Sequence, residues 1–375
     1  MSSELKRTEL YQWHVDHGGR MVPFAGWEMP VQYPTGPLQE HKATRETAGL
    51  FDIDHMGQIE VRGPDAEAFV NRIVSYDVRK MALLDAHYAL FCYPDGGTID
   101  DLFVYKLPDP DEQGHSYFFL AINASNRAKD VAWVKAHMDG YDVQVKDISD
   151  ETYMLAFQGP KAPEIMDRLT AADLNQMARF TALQETILGE VPMLIGRTGY
   201  TGEDGFELFF PAAKALRVWK AILEAGREEG VLPIGLAARD SLRFEPCMPL
   251  YGHELSASVS AVEARLTFAV SFEKDFIGRD ALLKKKLEKP SQLLVGFEMV
   301  DKGVAREGYP VAVGGAEVGF VSSGMFSPTL KRYLGMAFVP REASKMGTEI
   351  EIIVRGKPKK AQVVKRPFYT PAYRR

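Results

Sequence analysis

The chain changes character at Pro290. Before it, apolar runs of strand length alternate with segments whose apolar residues recur at helical spacing. After it, the runs are short, extended in character and separated by glycines, as in SQLLVGFEMV and PVAVGGAEVGFVSS. Gly314-Gly315 between two alternating runs is typical of a β-hairpin. The pattern predicts a mixed α/β region over residues 1–285 and an all-β domain, a small barrel or sandwich, over residues 286–375.

Helical spacing also predicts individual helices, over residues 37–47, 64–74, 212–230, 235–245 and 275–289. One β-turn-α unit occurs twice, because Gly63-Pro64-x-Ala and Gly159-Pro160-x-Ala both follow a strand pattern and precede a helical one. An old duplication would explain this, and so would the tolerance of proline in the first turn of a helix. The sequence leaves both explanations open.

The charge and composition exclude some classes of protein. The 375 residues carry a formal net charge of -6, whereas a nucleic-acid-binding protein normally shows a basic domain or stripe. No stretch approaches the roughly 18 apolar residues that a membrane helix needs, and the N-terminus lacks the apolar core of a secretory signal. Cys92 and Cys247 stand in apolar surroundings, which favours reduced, buried thiols. We therefore expect a cytoplasmic protein with no membrane or nucleic-acid partner.

Two adjacent acids stand at the start of a strand pattern in DGGTIDDLFVYK, residues 95–106. Alternation puts Asp101 on one face with Ile99, Phe103 and Tyr105, and Asp100 on the other with Leu102 and Val104. Both faces are mainly apolar, so at least one carboxylate is expected to be desolvated. It could accept hydrogen bonds from the glycine turn, or it could handle protons and stabilise a cation.

The loop RTGYTGEDGFEL, residues 197–208, has a glycine at every third position. Glu207 follows it in the strand pattern FELFF. It could simply face solvent, or it could be a buried acceptor for a ligand with paired N–H donors. Further along, Arg239 and Arg243 share one face of a predicted helix. Either could hold a ligand carboxylate, although an ion pair with Asp240 or Glu245 is the simpler expectation.

Metal-site and hydrolase patterns are absent from the sequence. His55 and His253 stand alone, with no HxH, HExxH or CxxC spacing. No GxSxG elbow and no phosphate-binding loop occurs either. We expect no metal in this protein.

Eight segments, in order from about residue 8 to the C-terminus, together resemble one family: GGRMVPFAGWEMPVQY, FDIDHMG, GGTIDDLFVYK, AFQGPKA, RTGYTGEDGFEL, GLAARDSLRFE, SGMFSPTLKR and KRPFY. The chain resembles the T-proteins of the glycine cleavage system, aminomethyltransferases that use tetrahydrofolate. The resemblance implies an α+β fold with three domains in a cloverleaf around a central folate channel. Two interleaved α/β domains would occupy residues 1–285, and a β-barrel domain residues 286–375.

The resemblance also implies roles for particular residues. Asp101 matches the catalytic acid, which lies near the pterin nitrogens N5 and N10, and Asp100 is left to anchor the turn or a neighbouring amide. Glu207 matches the glutamate that binds the pterin edge. The other positions that line the folate site in relatives are Met56, Tyr88, Asn123, Tyr200, Arg239 and Tyr373. The implied partners are tetrahydrofolate, as a co-substrate, and the lipoyl carrier (H-protein) that delivers the aminomethyl group.

Two departures from the family pattern concern the substrate more than the folate. Asp54 stands where many T-proteins have serine, beside His55, and Met248 stands where an aromatic residue or leucine is common. We take Asp54, His55 and Met248 as candidates on the substrate side. They leave a second function open: a demethylase that acts on a small methyl compound and forms 5-methyl-tetrahydrofolate. A non-catalytic folate-binding protein is a third possibility, against which the retained acid pair counts.

Overall fold

The computed structural model describes residues 4–110, 113–371 and 373. The helices of this part of the chain are α1 (Tyr11–Asp16), α2 (Pro37–Glu46), α3 (Ala66–Ile73), α4 (Arg127–Ala136), α5 (Ala162–Met166), α6 (Ala215–Ala225), α7 (Leu236–Phe244) and α8 (Arg279–Glu288). The strands before Pro290 are β1 (Arg20–Phe24), β2 (Trp27–Gln32), β3 (Gly49–Asp52), β4 (Gly57–Gly63), β5 (Ala86–Cys92), β6 (Thr98–Leu107), β7 (Ser116–Ile122), β8 (Gln144–Asp147), β9 (Thr152–Gln158), β10 (Ala182–Ile187), β11 (Val191–Gly196), β12 (Gly205–Pro211) and β13 (Leu232–Ile234). Those after it are β14 (Gln292–Met299), β15 (Pro310–Val313), β16 (Ala316–Ser327), β17 (Arg332–Pro340), β18 (Glu349–Val354) and β19 (Lys357–Val364).

The predicted helices are all present, with shorter bounds. The segment predicted as one helix over residues 212–230 begins as a 3-10 turn at Ala212–Lys214, and α6 proper runs from Ala215 to Ala225. Gly226 is its C-cap, and a Cβ there would lie 2.3 Å from Cγ2 of Val231, so close packing requires glycine at this position. The helical pattern therefore located α6 but not its exact bounds.

Two sheets repeat one chain order. In the first, β4, α3, β5, β6, β7, α4 and β8 follow one another, and the sheet order is β5-β6-β7-β4-β8. In the second, β9, α5, β10, β11, β12, α6 and β13 follow one another, and the order is β10-β11-β12-β9-β3-β13. The second sheet differs by the insertion of β3 between β9 and β13. This shared topology favours duplication as the explanation of the repeated Gly-Pro-x-Ala unit.

The chain forms two compact units. The first contains the described residues of Met1–Ile73, Asp77–Ala89 and Leu102–Asp240, and the second those of Val74–Tyr76, Leu90–Asp101 and Ser241–Arg375. The core of the first unit packs the sheet β10-β11-β12-β9-β3-β13 against α5 and α6, with Trp219 fully buried. The domain limit between residues 285 and 286 stays a prediction, and so does the cloverleaf around a channel.

The region after Pro290 forms a closed barrel with the strand order β14-β17-β16-β15-β18-β19. Gly314 and Gly315 join β15 to β16 with φ of 59° and 82°, the left-handed region that a two-residue hairpin turn needs. Inside, Gly335 leaves room for the Phe297 ring, which would lie 2.2 Å from an added Cβ. The mixed α/β region and the all-β domain predicted from the sequence are confirmed.

Both cysteines are free thiols, as predicted. Burial raises the pKa of Cys92 and of Cys247 to about 12, so both stay protonated at neutral pH.

None of the helices in the described residues is both long enough and apolar enough to cross a membrane.

Candidate functional site

Glu207 lies on β12 and is buried, with 7% of its surface exposed. The Thr198 hydroxyl donates to its Oε2 at 2.5 Å, and the Tyr105 hydroxyl does so at 3.3 Å. The two hydroxyl groups also lie 2.8 Å from each other. The simple expectation of a solvent-facing Glu207 is therefore wrong, and the buried acceptor is what the structure contains.

The carboxylate of Glu207 is not fully used by the protein. Both hydroxyl donors contact Oε2, and no described residue donates a hydrogen bond to Oε1. Burial raises the pKa of Glu207, while the Thr198 hydrogen bond and the positive charge of Arg239 oppose that rise. A desolvated carboxylate with a vacant oxygen can accept an N–H group from a ligand.

The loop before β12 is organised around the buried side chain of Gln158. Its amide nitrogen donates to the carbonyl oxygens of Thr198 (3.0 Å) and Phe206 (3.1 Å), and its oxygen accepts from Thr201 Oγ1 at 2.9 Å. A Cβ at Gly199 would lie 1.9 Å from Gln158 Oε1, which explains the glycine at that position. Gln158 thus fixes the backbone that carries Thr198 toward Glu207.

The other two acids of this loop pair with arginines. Glu203 accepts from Arg45 at 3.0 Å in a buried ion pair. Asp204 pairs with Arg197 at 2.7 Å and with Arg179 at 3.0 Å. These ion pairs stabilise the conformation of the loop. The hydrogen-bond partners of Glu207 are hydroxyl groups instead, so its environment differs from that of Glu203 and Asp204.

Arg239 projects from α7 toward Tyr200. Its guanidinium carbon lies 4.8 Å from the centre of the Tyr200 ring, a cation–π contact. The positive charge of Arg239 also opposes the rise in the pKa of Glu207 that burial causes. Arg243, the other arginine predicted on this face of the helix, contacts Glu254 at 3.0 Å.

The start of α7 is held by a buried acid on α2. Glu40 accepts the Tyr33 N–H at 2.7 Å and the Gly235 N–H at 2.8 Å. Gly235 directly precedes α7, so the Glu40 carboxylate satisfies a backbone donor at the positive end of that helix. This contact fixes the helix from which Arg239 projects.

His55 lies in the turn between β3 and β4. It is 3% exposed, and the edge of the Phe24 ring contacts it with a centroid distance of 5.4 Å. Burial and then the charge of Arg239 lower the pKa of His55 to about 3, so its ring is neutral at physiological pH. Its Nδ1 is buried and has no hydrogen-bond partner among the described residues. Asp54 precedes it and accepts the Met154 N–H at 3.2 Å.

Three further predicted folate residues lie on the same unit. Met56 and Asn123 flank the antiparallel pair Gly57–Ile122, so they lie side by side where β4 begins and β7 ends. Tyr88 on β5 contacts Phe103 on β6 edge-on, with ring centres 5.9 Å apart. Rings therefore continue from Tyr88 through Phe103 to Tyr105, the hydroxyl partner of Glu207.

The two adjacent acids near the start of β6, Asp100 and Asp101, differ in exposure. Asp100 is fully buried, with Leu102 and Val104 on its face of β6, whereas Asp101 is half-buried. Alternation along β6 puts Asp101 on the face of Phe103 and Tyr105, as predicted. In the glycine turn before the strand, Asp95 Oδ1 accepts the Gly97 N–H at 2.9 Å.

Met248 and Tyr373 belong to the second unit. The backbone N–H of the half-buried Met248 donates to the Arg243 carbonyl oxygen at 3.0 Å, and the Arg243 side chain donates to the Met248 carbonyl oxygen at 3.3 Å. Tyr373 is 37% exposed near the C-terminus. The structure therefore places these two residues on a different unit from Asp54, His55 and Glu207.

The sequence did not identify Thr198 and Tyr105 as partners of Glu207. Tyr105 is 102 residues from Glu207 along the chain, so only the pairing of distant strands brings them together. The one feature of the sequence that could have pointed to Tyr105 as a site residue was its position on the same face of β6 as Asp101. Among the described residues, no group of three or more His, Cys, Asp or Glu side chains is arranged to hold a metal ion.

Comparisons with known proteins agree with this architecture. A family model described as "GCVT N-terminal domain" matches residues 10–274, and one described as "Glycine cleavage T-protein C-terminal barrel domain" matches residues 293–370. These family models define a class of enzymes that transfer one-carbon groups. Within that class, the chain belongs to the glycine cleavage T-protein family.

Individual relatives match over the full length. A protein of Symbiobacterium thermophilum named aminomethyltransferase is 48% identical and is covered completely, as is this chain. One of Geobacillus kaustophilus with the same name is also 48% identical, over 98% of this chain and 100% of the relative. The crystal structure of the glycine cleavage system aminomethyltransferase T from Bartonella henselae superposes with a TM-score of 0.91 at 33% identity, over 99% of this chain and 100% of that chain.

Proposed function

We propose that this chain transfers an aminomethyl group from the sulfur of a lipoyl carrier protein to tetrahydrofolate, with release of ammonia and formation of 5,10-methylene-tetrahydrofolate. That the chain is an aminomethyltransferase is supported by its family and by the full-length relatives of that name. These same relatives favour this activity over the demethylase alternative. The identity of the acceptor and of the carrier is the part that we propose.

The buried Glu207 carboxylate carries the proposal for the acceptor. The pyrimidine edge of a reduced pterin presents adjacent N–H donors, and a carboxylate is the group that can accept two of them. Glu207 has an oxygen that no described residue uses, and Arg239 lies close enough to influence its charge. Tyr88 and Phe103 supply ring surface that suits the flat, aromatic parts of a folate.

We assign the chemical step to Asp101. Transfer from sulfur to nitrogen passes through cationic, iminium-like species, and a nearby carboxylate stabilises such charge and orients the reacting nitrogen. Asp101 is half-buried, so it remains reachable, whereas Asp100 is fully buried. Asp101 acts at least as much through charge and orientation as through proton transfer.

The test of the reaction is product identity. The chain is incubated with an aminomethylated lipoyl carrier and tetrahydrofolate, and ammonia and methylene-tetrahydrofolate are measured together. Equal amounts of both products are expected. Formation of 5-methyl-tetrahydrofolate from a small methyl donor, without ammonia, would support the demethylase instead.

A matched pair of variants separates catalysis from binding. Asp101→Asn is expected to bind tetrahydrofolate normally and to lose turnover, which would exclude a non-catalytic folate-binding protein. Wild-type protein that binds tetrahydrofolate but yields no product with any donor would favour that non-catalytic protein. Asp95→Asn, which alters the acid that caps the adjacent glycine turn, is the control of the same chemical change.

A further inference from the structure

Beneath the turn that carries His55 lies a buried chain of polar groups centred on Asp52. Its Oδ2 accepts from Thr8 Oγ1 at 2.7 Å and from His14 Nε2 at 2.9 Å. Its Oδ1 accepts the Asp54 N–H at 3.1 Å. The other ring nitrogen of His14 lies 2.8 Å from the Tyr33 hydroxyl. With three donors, Asp52 is well suited to remain ionised in the interior.

Asp54, two residues further on, has a much poorer environment for a charge. Among the described residues it has one hydrogen-bond donor, the Met154 N–H at 3.2 Å, and no ion-pair partner. The titratable groups around it are Asp52, Glu9, Asp150 and the Tyr153 hydroxyl. The neighbouring His55 brings no positive charge, because its ring is neutral.

Asp52 is buried and Asp54 half-buried, and two carboxyl groups so close together, largely shielded from water, cannot both carry a charge at low cost. Asp52 has the donors, so Asp54 is the group that keeps a proton. The pKa directions agree with this geometry. Burial and then the charge of Asp52 raise the pKa of Asp54 to about 9, whereas the donors of Asp52 outweigh its burial and lower its pKa.

We propose that Asp54 is a positioning residue that works as a neutral carboxyl group and holds the His55–Met56 turn against the backbone of Met154. One oxygen accepts the Met154 N–H, and the other carries the proton. The turn then contains a single negative charge, on Asp52, and His55 keeps its place near Arg239. This deepens the proposed function, on which its kinetic test rests, and it changes Asp54 from a substrate contact to a support for the site.

The first test needs no activity. It compares the unfolding of wild type and Asp54→Asn in urea as a function of pH. An aspartate in the unfolded chain titrates near 3.8 but Asp54 in the folded chain near 9, so the folded wild type must hold a proton that the unfolded chain releases. Wild-type stability relative to the variant is therefore expected to fall steadily as the pH rises from about 4 to about 9, and to level off above that. A difference that is constant over this range would overturn the proposal.

The second test is the pH profile of kcat/KM. The wild type is expected to lose activity above pH 9, by about tenfold per pH unit, as Asp54 ionises beside Asp52. Asp54→Asn keeps an acceptor and a donor in the same place. It is expected to stay within about threefold of wild type at neutral pH and to lack the alkaline fall.

The outcomes separate this proposal from the proposed function. An unchanged alkaline fall in Asp54→Asn, or loss of its activity at neutral pH with normal folding, would overturn the positioning role. If wild type itself shows no turnover with any donor, the proposed function fails while the unfolding experiment still decides the state of Asp54. Asp150→Asn is the control, because it removes an exposed carboxylate that faces the same region, and it is expected to leave the profile unchanged.

Discussion

At the scale of single residues, Glu207 is the best-defined group of the site. Two hydroxyl groups from separate segments point at one of its oxygens, and the other oxygen has no described partner. Arg239 sits near enough to limit the rise in its pKa that burial causes. The residue is thus prepared to accept N–H donors before any ligand arrives, which is what tight recognition of a pterin edge requires.

Glu207→Gln tests this role directly. The variant keeps the shape of the side chain but removes the charge, and hydrogen bonds to a charged group contribute about 1.5–3 kcal/mol. The dissociation constant for tetrahydrofolate, measured by calorimetry, is expected to rise on the order of 10- to 100-fold. Glu190→Gln, which alters an exposed surface ion pair, is the control and should bind as wild type does. Unchanged affinity in Glu207→Gln would remove it from the folate site.

The variant Thr198→Val tests how the binding of tetrahydrofolate depends on pH. In the proposed role the ionised form of Glu207 binds tetrahydrofolate, so affinity is expected to be lost as the pH falls through its raised pKa. The Thr198 hydroxyl lowers that pKa, and valine removes the hydroxyl with little change in volume. The midpoint of the acidic loss of tetrahydrofolate binding is expected to move to higher pH in the variant. A midpoint that stays in place or moves to lower pH would contradict the assignment.

The sequence could suggest Glu207 but not its partners. Glycine spacing and strand alternation left a solvent-facing and a buried Glu207 equally possible. The structure decides between them through Tyr105 and Thr198, which come from elsewhere in the chain. Arg239 shows the same limit, because its helix was predicted correctly while its contact with Tyr200 depends on tertiary packing.

At the scale of elements, the position of α7 determines where Arg239 lies. The Glu40 carboxylate on α2 accepts the Tyr33 and Gly235 N–H groups, so one charge-assisted hydrogen bond, from Gly235, joins α2 to the start of α7. Glu40 is completely buried. The helix is therefore anchored at its first turn.

Glu40→Gln tests this anchor. Glutamine keeps one acceptor but turns an amide donor toward a backbone N–H, which leaves a buried donor unsatisfied at a cost of about 1–3 kcal/mol. Urea unfolding is expected to show that loss, together with weaker binding of tetrahydrofolate. Glu46→Gln on the same helix alters an exposed pair with Lys42 and should change stability by less than about 0.5 kcal/mol. Equal effects of the two substitutions would argue against the anchor.

Element types followed from the sequence more readily than their ends. Strand β6 and its alternation were predicted, and so was the hairpin at Gly314-Gly315, because period and turn chemistry are local. The hydrogen bond from the Gly97 N–H to Asp95 in the turn before β6 was not predicted. It depends on the geometry of the folded turn, which residue types do not specify.

At the scale of the whole molecule, the repeated order of strands and helices explains the twofold Gly-Pro-x-Ala pattern. Gly63 and Gly159 both adopt positive φ, 129° and 142°, at the end of corresponding strands. A Cβ at Gly63 would lie 2.5 Å, and one at Gly159 2.4 Å, from a carbonyl oxygen. Both glycines are thus required by close backbone contact, and the short motif marked a real repeat of topology.

Within the second unit, a buried ion pair holds the segment around Met248. Arg243 contacts Glu254 at 3.0 Å, and Ser322 and Ser323 on β16 supply further hydrogen bonds. Both charged side chains are at most 2% exposed. Arg243→Gln is expected to destabilise the protein by about 3–5 kcal/mol, because it leaves the buried charge of Glu254 without its cationic partner.

The control for Arg243 is Arg332→Gln, which breaks an exposed pair with Glu298 and should cost about 0–1 kcal/mol. Thermal unfolding of both variants makes the comparison. A small effect at Arg243 would mean that the segment is held by apolar packing instead.

The central claim is that Asp101 and not Asp100 performs the chemistry. The most direct test measures single-turnover release of ammonia from an aminomethylated lipoyl carrier, with tetrahydrofolate bound to the enzyme. The measurement compares Asp101→Asn with Asp100→Asn. Removal of a group that stabilises charge in the transition state typically costs about 100- to 1,000-fold in rate. Asp101→Asn is expected to show a loss of that size with unchanged folate affinity, and Asp100→Asn mainly a loss of stability. Normal ammonia release in Asp101→Asn, with the loss in Asp100→Asn instead, would contradict the account.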